Sequence, residues 1–138
     1  MRNDIKDRSD IDRLMVAFYE KAMKDDVIGY LFTDIAKLDL DHHLPIIGDF
    51  WETMLFRGGD YGRHGRNPLA VHGDLDQKSP ILKVHFDRWI EIFNEMTDDL
   101  FEGETADFIK FRAKAIAGRM LEHISQRRSY GLTPQQAV

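Results

Sequence analysis

No cysteine occurs in the 138 residues. Its absence removes disulfides, thiolate metal sites and cysteine nucleophiles, and leaves His, Asp, Glu and Tyr as the reactive side chains. No apolar run approaches the ~20 residues of a membrane span, and the start, MRNDIKDRSD, lacks the apolar stretch that directs secretion. The chain is therefore expected to be cytoplasmic, with no membrane partner. Basic charge is also short, with 19 Lys and Arg against 24 Asp and Glu and a formal net charge of -5. That balance disfavours a nucleic-acid partner gripped through its phosphates. Strand-like alternation, internal repeats and low-complexity tracts are missing as well.

What remains is the composition of one globular domain, 43% hydrophobic and 31% charged, long enough to bury a core but too short for a second one. The apolar residues recur at helical spacing. In DIDRLMVAFYEKAMKDD, Ile11, Leu14, Met15, Phe18, Ala22 and Met23 share a face, with Asp10 placed to cap it and Tyr19 on the same side as Met15 and Met23. YLFTDIAKLDLDHH is a connection whose Phe32 is too apolar to leave in solvent.

A second helix is expected from near Asp41, with Pro45 tolerated as part of about its first turn. At ~100° per residue, His43, Ile47, Phe50 and Met54 form one stripe and His42 falls outside it. FRGGDYGRHGRNP holds four glycines and a proline and reads as an irregular loop, followed by at most a short helix from Pro68 to His72. Ser79 and Pro80 read as the start of an aromatic helix that buries Phe86, Trp89, Ile90, Phe93, Met96 and Leu100. A last helix turns Ile109, Ala113, Ile116, Ala117, Met120 and Ile124 inward, and QRRSYGLTPQQAV lacks an apolar period. The fold class is all-α.

Without cysteine, the six histidines carry most of the possible chemistry. Taken singly, each has an ordinary explanation. Tyr19 and Trp89 fit core positions with a partnered polar tip. His43 suits a helix start as well as a binding role, and His72 suits an exposed loop as well as a metal. His85, one turn before Trp89, is a competing metal ligand, whereas His64 and His123 read as solvent-facing. Asp98, Asp99 and Glu102 read as a solvated helix end. A non-heme metal site on a helical bundle would draw on His42, His43, His64 or His72 with Asp41 or Asp74. The Glu-x-x-His spacing of such sites is not convincingly present. A helical interaction module with no cofactor is a third reading.

Taken together, AFYEKAMKDDVIGYLF, DHHLPIIGDFW, NPLAVHGDL and HFDRWIEIF resemble the group III truncated hemoglobins over roughly residues 10 to 124. The resemblance implies a two-over-two helical sandwich; the single domain is expected over 1–126, and the lack of apolar period reads as a flexible tail over 127–138. It implies heme b (iron protoporphyrin IX) as cofactor, with His72 as the proximal iron ligand. Tyr19, His43 and Trp89 become the polar residues on the ligand side, Phe32 packs on the heme, and Ile47 and Phe50 line the pocket. The implied partners are O2 and related diatomic ligands, and redox work on O2, NO or peroxide would call for a reductase. A monomer or weak dimer is expected, although nothing in the pattern singles out an exposed apolar patch that would decide it. Arg63, His64 and Arg66 are propionate candidates by charge alone.

The chemistry is coherent. A heme iron takes one neutral imidazole as a fixed axial donor, and the groups on the other face choose between binding, activation and electron transfer. A phenol O–H and an indole N–H in an apolar pocket stabilise a ligand that gains negative charge, by about 1.5–3 kcal/mol each. Such a pocket favours retention or conversion of the ligand over its delivery.

Overall fold

The computed structural model describes residues 2–57 and 68–136, and their side chains except at 68–70 and 130–136. The described chain runs through α1 (Arg8–Ala22), a π-helical turn (Leu31–Ile35), α2 (Leu40–Phe56), α3 (Pro68–Lys78), α4 (Lys83–Leu100) and α5 (Glu104–Gln136). Helix α1 packs on α2 and also on α4, α4 packs on α5, and α3 lies on α5. The result is an all-α, two-over-two sandwich in which α1 and α2 cover α4 and α5.

Asp7, not Asp10, caps α1: its carboxylate accepts from the backbone N–H of Ser9 at 3.0 Å and of Asp10 at 3.3 Å. Asp10 instead reaches back to the N–H of Lys6. The buried face is Ile11, Leu14, Met15, Phe18, Tyr19 and Ala22, as the spacing predicts. Past α1, Asp25 accepts from the N–H of Val27 and of Ile28 while Arg88 of α4 donates to it from Nε and Nη2. This contact fixes how the chain leaves α1 for the π turn that carries Phe32.

Asp39 caps α2 by accepting from the N–H of His42. Pro45 is the sixth residue of the helix rather than part of its first turn. Its missing N–H leaves a gap in the ladder, and Arg8 of α1 donates to the Pro45 carbonyl at 3.2 Å and to Asp49 at 2.6 Å. Gly48 lies beneath that guanidinium, and a Cβ there would stand 2.5 Å from Arg8 Nη2 and displace it.

Helix α3 extends six residues past His72, to Lys78, so His72 is a helical residue and not the end of a loop. The start expected at Ser79 and Pro80 falls instead at Lys83, after the extended cap residue Leu82. The intervening chain is held elsewhere, by the Ile81 N–H donating to Asp76 at 2.8 Å. Helix α5 begins where the Asp4 carboxylate accepts from the N–H of Thr105 and of Ala106. It does not stop at residue 126, and Arg127 and Arg128 are bonded to α3.

Two buried clusters result. The larger joins α1, α2, α4 and α5 through Leu14, Phe18, Trp51, Phe93 and Ile109. The smaller gathers Ile81, Phe86, Ala117 and Ile124, with Leu75 and Met120 against it.

Candidate functional site

A cavity of about 320 Å³ lies between the two clusters and is lined by residues of both, including Phe18, Phe86, Ile116 and Met120. Its volume is that of a small-molecule or cofactor site. Few polar groups interrupt its apolar wall: Tyr19 from α1, His43 from α2, His72 from α3, and His85 and Trp89 from α4. Phe32, Ile47 and Phe50 line it too. Seven candidates from three helices, a connection and a supposed loop thus meet at one place.

The packing of α1 on α2 brings the Tyr19 Oη within 2.8 Å of His43 Nε2, with the two rings edge to face at 5.1 Å. Tyr19 also meets Phe18 and Phe32 edge-on, which fixes its ring from two further sides. Burial pushes the Tyr19 phenol well above its ordinary pKa. It stays a neutral O–H, able to donate, across the physiological range. His42 is exposed on the other side of α2.

Trp89 is held by Phe18 and Phe93, at centroid distances of 5.7 and 5.5 Å. Among the described residues its indole N–H has no hydrogen-bond acceptor. A Trp at such a position normally finds a partner, so a donor remains available at the cavity wall. His72 is half-buried on α3, next to Val71 and one turn before Leu75, and all three line the cavity.

His85 also faces the cavity, yet both of its nitrogens are engaged. Nδ1 accepts from the Leu82 N–H at 2.8 Å, which serves as the cap of α4, and Nε2 lies 3.2 Å from the Tyr30 hydroxyl. Using it as a metal ligand would unmake the start of its own helix. His123 does not face solvent as its spacing suggests; it is half-buried, and its Nε2 is buried with no partner among the described residues. Arg63 and Arg66 lie outside the described residues, as does His64. Among the described residues no three His, Asp or Glu side chains come together as a metal site.

No protein-family model matches the chain. A curated protein, the Group 3 truncated hemoglobin ctb of Campylobacter jejuni, is 33% identical over 120 residues, covering 85% of this chain and 90% of that one. The chain belongs to the group III truncated hemoglobins. The crystal structure of group III truncated hemoglobin from Campylobacter jejuni superposes with a TM-score of 0.77 at 31% identity, over 90% of this chain and 95% of that one.

Membership in the truncated hemoglobins accounts for a cavity at the crossing of the two helical layers. The same cavity takes in Ile116 and Met120, which helical spacing alone turns toward a core, and also Ile46 and Trp51. Nothing in spacing distinguishes a side chain that packs on a neighbour from one that faces a hollow. No helix among the described residues of this truncated hemoglobin is long and apolar enough to cross a membrane.

Proposed function

We propose that the protein binds heme b, that His72 would hold its iron, and that O2 and related diatomic ligands would sit beside Tyr19, His43 and Trp89. The observation that carries this is one apolar cavity bounded by an imidazole from α3 and, from α1, α2 and α4, by a phenol, a second imidazole and an indole. These residues fit the group: one imidazole to hold iron, apolar and aromatic walls for a flat ring, and donors for what binds beyond it. When bound, heme supplies an iron centre that takes small ligands and changes oxidation state.

The residues of the chain set what happens to the ligand. With its proton on Nε2, His43 donates to the Tyr19 oxygen and leaves the O–H to turn to a ligand in the cavity, so that tautomer keeps the phenol oriented and strengthens it as a donor. Trp89 adds a second donor from α4. Phe18, Phe32 and Phe50 keep water from competing for either. Donors that strengthen as the ligand gains charge slow its escape, and His43 can pass a proton through Tyr19 to a reduced ligand. Retention or redox conversion of O2, NO or peroxide follows from this polarity more readily than delivery does, and conversion requires an electron-donating reductase as partner.

The test is the absorption spectrum of the protein with added heme in ferric, ferrous and oxygen-exposed forms. Histidine-ligated bands that shift on reduction and on O2 exposure are expected, with the ligation lost in His72→Ala. Unchanged ligation in His72→Ala overturns the axial assignment. A spectrum of free heme alone overturns the whole reading.

A further inference from the structure

We propose that Arg127 and Arg128 are positioning residues for His72, setting the rotation and height of α3 and so the angle at which the imidazole enters the cavity. The inference rests on the reading of His72 as the axial ligand. Helix α3 packs against α5, and the contacts that join them are specific. Arg128 donates from Nε to Asp76 Oδ2 at 3.1 Å and from Nη2 to Asp76 Oδ1, and Nη2 also meets the Ile81 carbonyl at 3.1 Å. The Ile81 N–H returns to Asp76 Oδ1. Asp76 is buried at 9% exposure, so the carboxylate, the guanidinium and the chain leaving α3 form one knot.

Arg127 adds a second anchor. Its Nη1 and Nη2 lie 3.3 and 3.2 Å from Asp74 Oδ1. Its guanidinium rests directly on the backbone beside His72, where a Cβ at Gly73 would stand 2.0 Å from Nη1. At ~100° per residue, Asp76 lies about 40° from His72 one turn on, and Asp74 about 200° round the helix. Two attachments at such different angles stop α3 both from turning about its axis and from sliding along it. One alone leaves a hinge.

The test compares wild type with Arg128→Leu, Arg128→Lys, Asp74→Asn and the double variant Arg127→Leu/Arg128→Leu. Two readouts are used: the iron–imidazole stretching band of the ferrous, ligand-free protein, and hydrogen exchange of residues 71–78 in protein without heme. The double variant is expected to broaden or shift the band, to release heme faster, and to exchange faster in α3 while α1 and α4 keep wild-type rates. Arg128→Lys, which keeps charge but not the fork, restores the band in part. Asp74→Asn alters only an exposed position and so tests the Arg127 anchor even where loss of Arg128 prevents folding. An unchanged band together with unchanged α3 exchange in the variants overturns the inference alone. A wild-type protein with no iron–imidazole band overturns the ligand assignment and the inference with it.

Discussion

Tyr19 does two jobs with one hydroxyl, and both can be measured. Replacing it with Phe leaves the ring packing on Phe18 and Phe32 in place and removes the bond to His43. A hydrogen bond to a charged group is worth about 1.5–3 kcal/mol, so Tyr19→Phe is expected to speed release of a diatomic ligand by about 10- to 100-fold in stopped-flow mixing. An unchanged rate would place the hydroxyl outside the ligand's reach. The same burial has a pH signature. The folded phenol keeps its proton above the ordinary value of about 10 at which the unfolded chain loses it. Between those two values the unfolded state binds fewer protons, so stability is complete below about pH 10 and falls as pH rises through the folded value. Denaturation with urea across that window should show wild type losing up to about 1.4 kcal/mol per pH unit more steeply than Tyr19→Phe.

Side chains of this kind were legible because helical spacing fixes which face they share: Tyr19 and His43 stand on apolar stripes whatever the helix ends do. His72 was harder to place. Glycines upstream and Gly73 immediately after it are loop signals by local rules, but Gly73 lies on a helix and under the guanidinium of Arg127, more than fifty residues away. A residue chosen for close approach looks, in sequence, like one chosen for a turn.

Helix ends were read less well than helix faces, and at α5 the reason is related: its cap comes from distant chain. The cap of α5 is the clearest case. Asp4 accepts from the N–H of Thr105 at 3.0 Å and of Ala106 at 2.9 Å, across about a hundred residues of sequence. No local pattern announces it. Burial pushes the Asp4 carboxyl up, but the N–H groups of Thr105, Ala106 and Ile5 outweigh it and hold the group below its usual value. Stability from this contact is therefore present above about pH 4 and is lost as pH falls through the folded value. Asp4→Ala should cost about 0.5–2 kcal/mol at about pH 7, the range for losing a cap, and the gap to wild type should narrow at about pH 2. Chemical denaturation at the two values decides it, since a constant gap would mean that Asp4 acts through packing. Gly103 belongs to the same junction. With φ at +147° and Asp4 against it, it admits no side chain without strain.

At the scale of the whole molecule, the cavity divides what would otherwise be one core, since its walls belong to both buried clusters. Whatever fills it joins them. A ligand that binds the folded state at a free concentration about 100 times its dissociation constant adds about 2.7 kcal/mol, on the order of 10 °C in melting temperature for a domain of this size. Two sources of that gain can be separated, because metal-free protoporphyrin offers the same flat apolar surface as heme but nothing for His72 to bind. Heme is expected to raise the melting temperature further than protoporphyrin does in wild type, and the two gains should become equal in His72→Ala. The difference between the four melts isolates the bond from His72 to iron, free of the burial that both rings share. Equal gains in wild type would mean that the cavity recognises a ring and not a metal. A heme advantage that survives in His72→Ala would assign the iron to another donor on the cavity wall, where His43 and His85 are the imidazoles at hand.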